Sequence, residues 1–144
     1  MSLATLVASA ARTTSSTTAV LLSKALDQAP IDSAVFQLSV SALASNATDT
    51  LDVIVQHSID GSNWDALCHF PQVKGNDAAG QIRMQYVRRE VTIESRSLDS
   101  IGAAGTVYHG PIGANLRVEH VIANGSGSAS FTFAVTMEAV RKLR

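Results

Sequence analysis

Cysteine is almost missing from this chain: Cys68 stands alone in 144 residues, so no internal disulfide can form, and its place beside Leu67 in an apolar run reads as a small buried thiol. Charge is scarce as well. Only 16% of residues are charged, and eleven basic against twelve acidic side chains leave a net charge of -1, which removes the electrostatic basis for wrapping a nucleic-acid backbone. Nucleic acid is not an expected partner. No run approaches the roughly 20 mostly apolar residues that a bilayer-spanning helix needs, so a membrane is not expected either. The N-terminal MSLATLVASAARTTSS has an apolar patch ending in small residues but lacks the basic region and sustained apolar run of a secretory signal.

Catalytic signatures are missing too. Gly125-Ser126-Gly127 is a turn between strands with no helix after it, so it is not a nucleophile elbow, and there is no phosphate-binding loop, dinucleotide fingerprint or H-E-x-x-H. The four histidines, His57, His69, His109 and His120, lack the close local spacing of a zinc site. Asp60 to Asp65, reading DGSNWD, offers oxygen ligands without the order or distal Glu of an EF-hand loop, so a turn held by Asx hydrogen bonds is the better reading. Asn46-Ala-Thr48 and Asn124-Gly-Ser126 match a glycosylation acceptor pattern that arises readily by chance. The residues therefore lead us to expect no enzyme, no catalytic residue, no metal and no cofactor.

What the chain does contain is a period of two. Leu51, Val53, Val55 and His57 alternate with Asp52, Gln56 and Ser58, the Asp60-Gly61 pair supplies a turn, and Trp64 begins a return towards Phe70. This predicts a β-hairpin. Ala34, Phe36, Leu38, Val40 and Ala42 alternate with polar or small residues, and Val87, Arg89, Val91 and Ile93 oppose Tyr86, Arg88, Glu90 and Thr92. Leu116, Val118, His120 and Ile122, the NGSGS turn at Asn124 to Ser128, and Phe131, Phe133, Val135 and Met137 predict a second hairpin, and Val107 to His109 a short strand. Seven or eight short strands with turn signals between them predict an all-β fold, an antiparallel, jelly-roll-like β-sandwich, with a closed barrel as the rival.

At this length one domain is expected, burying roughly two thirds of the surface of the unfolded chain. Residues 1–18, rich in Ala, Ser and Thr with little periodicity, are expected to form an extended N-terminal arm, and residues 19–144 a single β-sandwich domain. Gln72 to Gly80 and Ser95 to Gly105 read as irregular loops suited to binding contacts. Trp64 has two readings, a platform for a sugar ring or a plug at the end of the core or at an interface. Arg141, Lys142 and Arg144 form a small basic tail.

The stretch L-D-V-I-V-Q-H-S-I-D-G-S-N-W-D at residues 51–65, with Phe70, Leu116-Arg-Val-Glu and Phe131-Thr-Phe-Ala-Val, resembles the small β-sandwich virion proteins of tailed bacteriophages and gene transfer agents. The matching positions are Asp52, Val53, Val55, Gln56, Ser58, Asp60, Gly61 and Trp64, and the likeness extends over residues 33 to 137. The resemblance implies a structural virion protein, foremost a head decoration or capsid-associated subunit, with a neck or tail component as the alternative. It also implies major capsid or other virion proteins as partners, a homo-oligomer, and a virion location after assembly in the bacterial host cytoplasm. No functional residue is carried over. A glycan-binding β-sandwich module, using Trp64, Tyr86 or Tyr108, is the rival from another class. An arm over residues 1–18 implies that its deletion leaves the isolated sandwich folded.

Overall fold

The computed structural model describes residues 2–20, 31–43, 46–88, 97–110, 112–113 and 115–141. No helix occurs among them. Nine strands follow in order: β1 (Ser2–Arg12), β2 (Ser16–Val20), β3 (Ile31–Leu43), β4 (Asp49–Ser58), β5 (Asp65–His69), β6 (Val73–Lys74), β7 (Gln81–Arg88), β8 (Asn115–Asn124) and β9 (Phe131–Arg141). They form two antiparallel sheets. The first has the order β1-β9-β3-β7, and the second β2-β8-β4-β5 with β6 also pairing β4. The chain changes sheet at every connection except those between β4 and β5 and between β5 and β6, and the last two strands lie inside the two sheets rather than at their edges. This is a jelly-roll arrangement of a β-sandwich.

Strands form where the sequence alternates because each presents one row of side chains to a shared core. In β3 the buried positions are Ile31, Ala34, Phe36, Leu38 and Val40, and in β9 Phe131, Phe133, Val135, Met137 and Ala139. All four phenylalanines, Phe36, Phe70, Phe131 and Phe133, are completely buried. The hairpin expected over residues 51–70 is present as β4 and β5, with Ile54 opposite His69 and His57 opposite Asp65. Val107 makes a single bridge to Cys68 in place of the short strand expected at 107–109. Arg89 to Ile93 and the basic tail at Lys142 and Arg144 lie outside the described residues.

Two expectations change. Residues 1–18 are not an arm apart from the sandwich: β1 pairs with β9 along the edge of the first sheet, and β2 pairs with β8, so a boundary after residue 18 falls inside β2. The period of β1 is obscured by register shifts between Thr5 and Val7 and between Val7 and Ala10, which turn consecutive Leu6 and Val7 into the core. An extra residue in one strand of a pair breaks the alternation from which a strand is recognised. The second change concerns Asn124 to Ser128. β8 pairs with β2 and β4 while β9 pairs with β1 and β3, so the turn is a corner between sheets and not the end of a hairpin. Both arrangements need the same glycine-rich reversal and alternating flanks.

Asp49 fastens that corner. Its carboxylate, fully buried at the start of β4, accepts the Ser126 N–H at 2.9 Å and the Ser126 hydroxyl at 2.6 Å, while Asn124 Oδ1 accepts the Ala129 N–H at 2.9 Å. At the neighbouring turn between β1 and β2 the Arg12 guanidinium covers the Phe133 ring at 4.7 Å and donates to the carbonyls of Ala8, Ala10 and Phe133.

Deleting residues 1–15 is therefore expected to destroy the cooperative unfolding transition followed by circular dichroism, because it uncovers β9 and removes Leu6 and Val7 from the core. Burying a side chain of that kind contributes about 1.5–3 kcal/mol, against a total stability of about 5–15 kcal/mol. Phe133→Ala is expected to cost about 3–5 kcal/mol in urea denaturation, as a large-to-small change in a packed core.

Candidate interaction surface

The turn between β4 and β5 is built on Asp60. Its carboxylate accepts the N–H groups of Asn63 and Ser62 at 2.8 Å each, the Asn63 side-chain amide at 2.6 Å and the Ser58 hydroxyl at 3.0 Å. Those donors, with the Asn63 and Ser62 N–H groups foremost, hold the carboxyl well below the usual carboxylate range. Gly61 follows with φ +77°, a left-handed conformation that favours glycine. Asp60 is thus spent on the turn. A cleft of about 210 Å³ beside it is lined by His57, Ser58, Ile59, Asp60, Asn63, Asp65 and Leu98.

Trp64 lies outside the core cluster and is half-buried, with the Arg117 guanidinium 4.2 Å from its ring centre. Arg117 Nε donates in turn to Gln56 Oε1, and the buried Gln56 amide donates to Glu119 Oε2 at 3.0 Å and to the Ser100 carbonyl. One ring face of Trp64 is consequently occupied. That leaves less of it for a sugar, and it also corrects the expectation that Trp64 plugs the end of the core.

The histidines are dispersed. His57 Nδ1 accepts the Gly113 N–H at 2.8 Å while Nε2 stands 3.7 Å from Asp65. His69 sits between the Asp52 carboxylate at 3.1 Å and the Gly102 carbonyl at 3.3 Å, and His109 Nδ1 accepts the Arg88 N–H at 3.1 Å. His120 is buried edge-on to Phe133, with Nε2 3.0 Å from the Thr14 carbonyl and Nδ1 without a hydrogen-bond partner. No group of three metal-binding side chains occurs among the described residues. Cys68 is fully buried, and burial pushes its thiol well above the ordinary range.

The irregular segment 97–110 is a strap along the second sheet. It runs beside β5, with the Ala66 N–H donating to the Asp99 carbonyl, Tyr108 N–H to Leu67, His69 N–H to Thr106 and Gly105 N–H to His69, all at 2.8–2.9 Å. Asp99 caps the strap's own turn through the N–H groups of Ile101 and Gly102. Gly102, with φ +65°, is required there, since a Cβ would stand 2.6 Å from the Tyr108 ring. Ile54 and Gln56, which point away from the core, are buried on this side. The loop at Gln72 to Gly80 is likewise tied down: Val73 and Lys74 pair with β4, and Arg83 reaches the Pro71 carbonyl at 2.8 Å and Asp77 at 3.4 Å.

Among the described residues, no such strap crosses the outer side of the first sheet. Across it run the rows Leu3–Glu138–Val35–Tyr86, Thr5–Thr136–Gln37–Met84 and Ala134–Ser39–Ile82. On the edge strand β7, Ile82 is 61%, Met84 47% and Tyr86 53% exposed. Neither a protein-family model nor a curated protein matches this chain. This outer face, uncovered among the described residues, is the candidate interaction surface. It was missed in the sequence because attention falls on loops, yet there was a signal: Ile82, Met84 and Tyr86 are apolar at the parity opposite to the core residue Val87.

One consequence of the buried histidine is measurable. Burial, reinforced by Arg12 and opposed by the Thr14 hydrogen bond and Glu119, lowers the pKa of His120 below its ordinary 6.5. An unfolded chain takes up that proton first, so the stabilising contribution is complete above about pH 6.5 and is lost as the pH falls through the folded value. His120→Gln should flatten the decline in urea midpoint between about pH 7.5 and pH 5 relative to the wild type.

Proposed function

We propose that this chain is a structural protein of a tailed-bacteriophage-like virion, a head decoration or capsid-associated subunit that acts through protein–protein contacts. The observation that carries the proposal is the contrast between the two sheets: the second is strapped by the chain's own residues 97–110, whereas among the described residues nothing covers the outer face of the first, which is broad and almost uncharged. Side chains such as Ser, Thr, Ala and Val lose little rotamer freedom on contact, so a flat face made of them is suited to close apposition. In a particle many such contacts, each weak, add by multivalency. The likeness of residues 51–65 to virion proteins supports the same reading.

Tyr86 is exposed on that face, and it is the residue on which a glycan-binding reading rests, since Trp64 is covered by Arg117. Particles purified on a density gradient from cells that produce this protein separate the two. Mass spectrometry is expected to find the chain in a fixed ratio to the major capsid protein. Its absence from particles, with specific signals on a glycan array, would replace the virion reading by the glycan one.

A further inference from the structure

We propose that residues 13–15, the turn that joins β1 to β2, are an acid-opened flap over His120: a proton taken up at Nδ1 releases the turn while both sheets stay paired. The inference is independent of the particle reading. His120 points into the core from β8, opposite Val53 on β4 and Ser16 on β2, and is only 2% exposed. Its tautomer is set by its neighbours. The Thr14 carbonyl, 3.0 Å from Nε2, can only accept, so Nε2 carries the hydrogen and Nδ1 keeps a lone pair with no partner among the described residues. A proton added at Nδ1 creates a charged donor with nothing to receive it, in a place that water does not reach.

The surroundings do not offset that charge. Phe133 stands edge-on to the ring at 5.3 Å, and the Arg12 guanidinium of β1 lies over the same Phe133 at 4.7 Å, so a cation is already close by. Among the described residues, β2, β3 and β9 present no titratable side chain to this part of the core. On β4, Asp49 shares the core side but stands four residues from Val53, about 13 Å along the strand, and its carboxylate is engaged by Ser126. On β8, Glu119 and Arg117 lie on the other side of the sheet, bonded to Gln56. Burial and Arg12 outweigh the attraction of Glu119, so the closed ring stays neutral to below the ordinary 6.5. The way to water is through the turn. Strands β2 and β4 flank β8 on both sides, whereas Thr13, Thr14 and Ser15 are exposed and belong to no strand. They meet β8 through two bonds, the Thr14 carbonyl to His120 and the Ser15 hydroxyl oxygen, which accepts the Ile122 N–H at 2.9 Å. Once the turn lifts, the ring takes up its proton at about pH 6.5. Above that pH the flap stays shut, and between it and the closed-state value the open fraction grows by up to about tenfold for each pH unit of fall.

Native-state hydrogen exchange of the full chain, followed by NMR, tests this. The Ile122 amide reports the flap because its acceptor is Ser15. Its protection, corrected for the intrinsic exchange rate, should fall severalfold between pH 6.5 and pH 5.5 and be insensitive to low urea, while amides at the centres of the sheets, such as those of Val118 and Leu38, exchange through urea-sensitive unfolding. Glutamine at position 120 keeps a donor for the Thr14 carbonyl and takes up no proton, so in His120→Gln the Ile122 protection should no longer change with pH. Ile122 protection that follows urea together with the central amides, or that falls equally in the variant, would overturn the flap. If the variant does not fold, the imidazole nitrogen shifts of the wild type decide: the Nε2–H tautomer is expected at pH 7.5, and the Nδ1–H tautomer would sink the proposal.

Discussion

The constraint on which the structure depends is the placement of its last two strands. β9 lies between β1 and β3, and β8 lies between β2 and β4, so the edge strands β1 and β2 have no place in either sheet without residues 115–141. Backbone N–H and C=O groups buried in a sheet must be paired, which ties one end of the chain to the other. The corner between β8 and β9 must then be held in one geometry. Asp49 does this with both carboxylate oxygens on Ser126, from a strand that also pairs with β8.

The two sheets have different relations to solvent. In the second, polar groups point outward into a layer of the chain's own making: Gln56 spans Arg117, Glu119 and Ser100, and His69 spans Asp52 and Gly102. Networks of this kind hold a surface rigidly because each member satisfies another. Among the described residues, the first sheet has few such groups and no layer above its outer face. Exposure alternates with burial along β7, and its large apolar residues Ile82, Met84 and Tyr86 face outward at one edge of the sheet. The same residue types that leave the chain poor in charge leave this face poor in it too.

Much of the fold was legible because β3, β4, β8 and β9 each keep a core-facing period of two over their central residues. β1 was not, since its bulges put Leu6 and Val7 on the same side and small residues elsewhere carry no signal of facing. The corner at Asn124 to Ser128 was read as a hairpin for a different reason. Local sequence encodes a reversal, but which sheet receives the returning strand is decided by partners about 90 residues away, such as Phe36 opposite Met137. The site was less legible still. Asp60 to Asp65 offer oxygen ligands in a row of letters but read better as an Asx-bonded turn, and the hydrogen bonds of Asp60 with Ser58, Ser62 and Asn63 form that turn, while Asp65 faces Asp99 and His57. Ile82, Met84 and Tyr86 sit at the parity opposite to Val87, but only the pairing of β7 with β3 shows the sheet face they share.

The interleaved strand order has a consequence for synthesis. β1 and β2 leave the ribosome first, yet their pairing partners are among the last residues to appear, so no early portion of the chain can complete either sheet. Leu6 and Val7 wait without a core, and the hairpin of β4 and β5 is the earliest piece with neighbours in sequence to lean on. A message that ends prematurely yields a product unable to imitate the native protein, since both edge strands are left without a place. The topology thereby makes assembly conditional on a chain read through at least to its ninth strand.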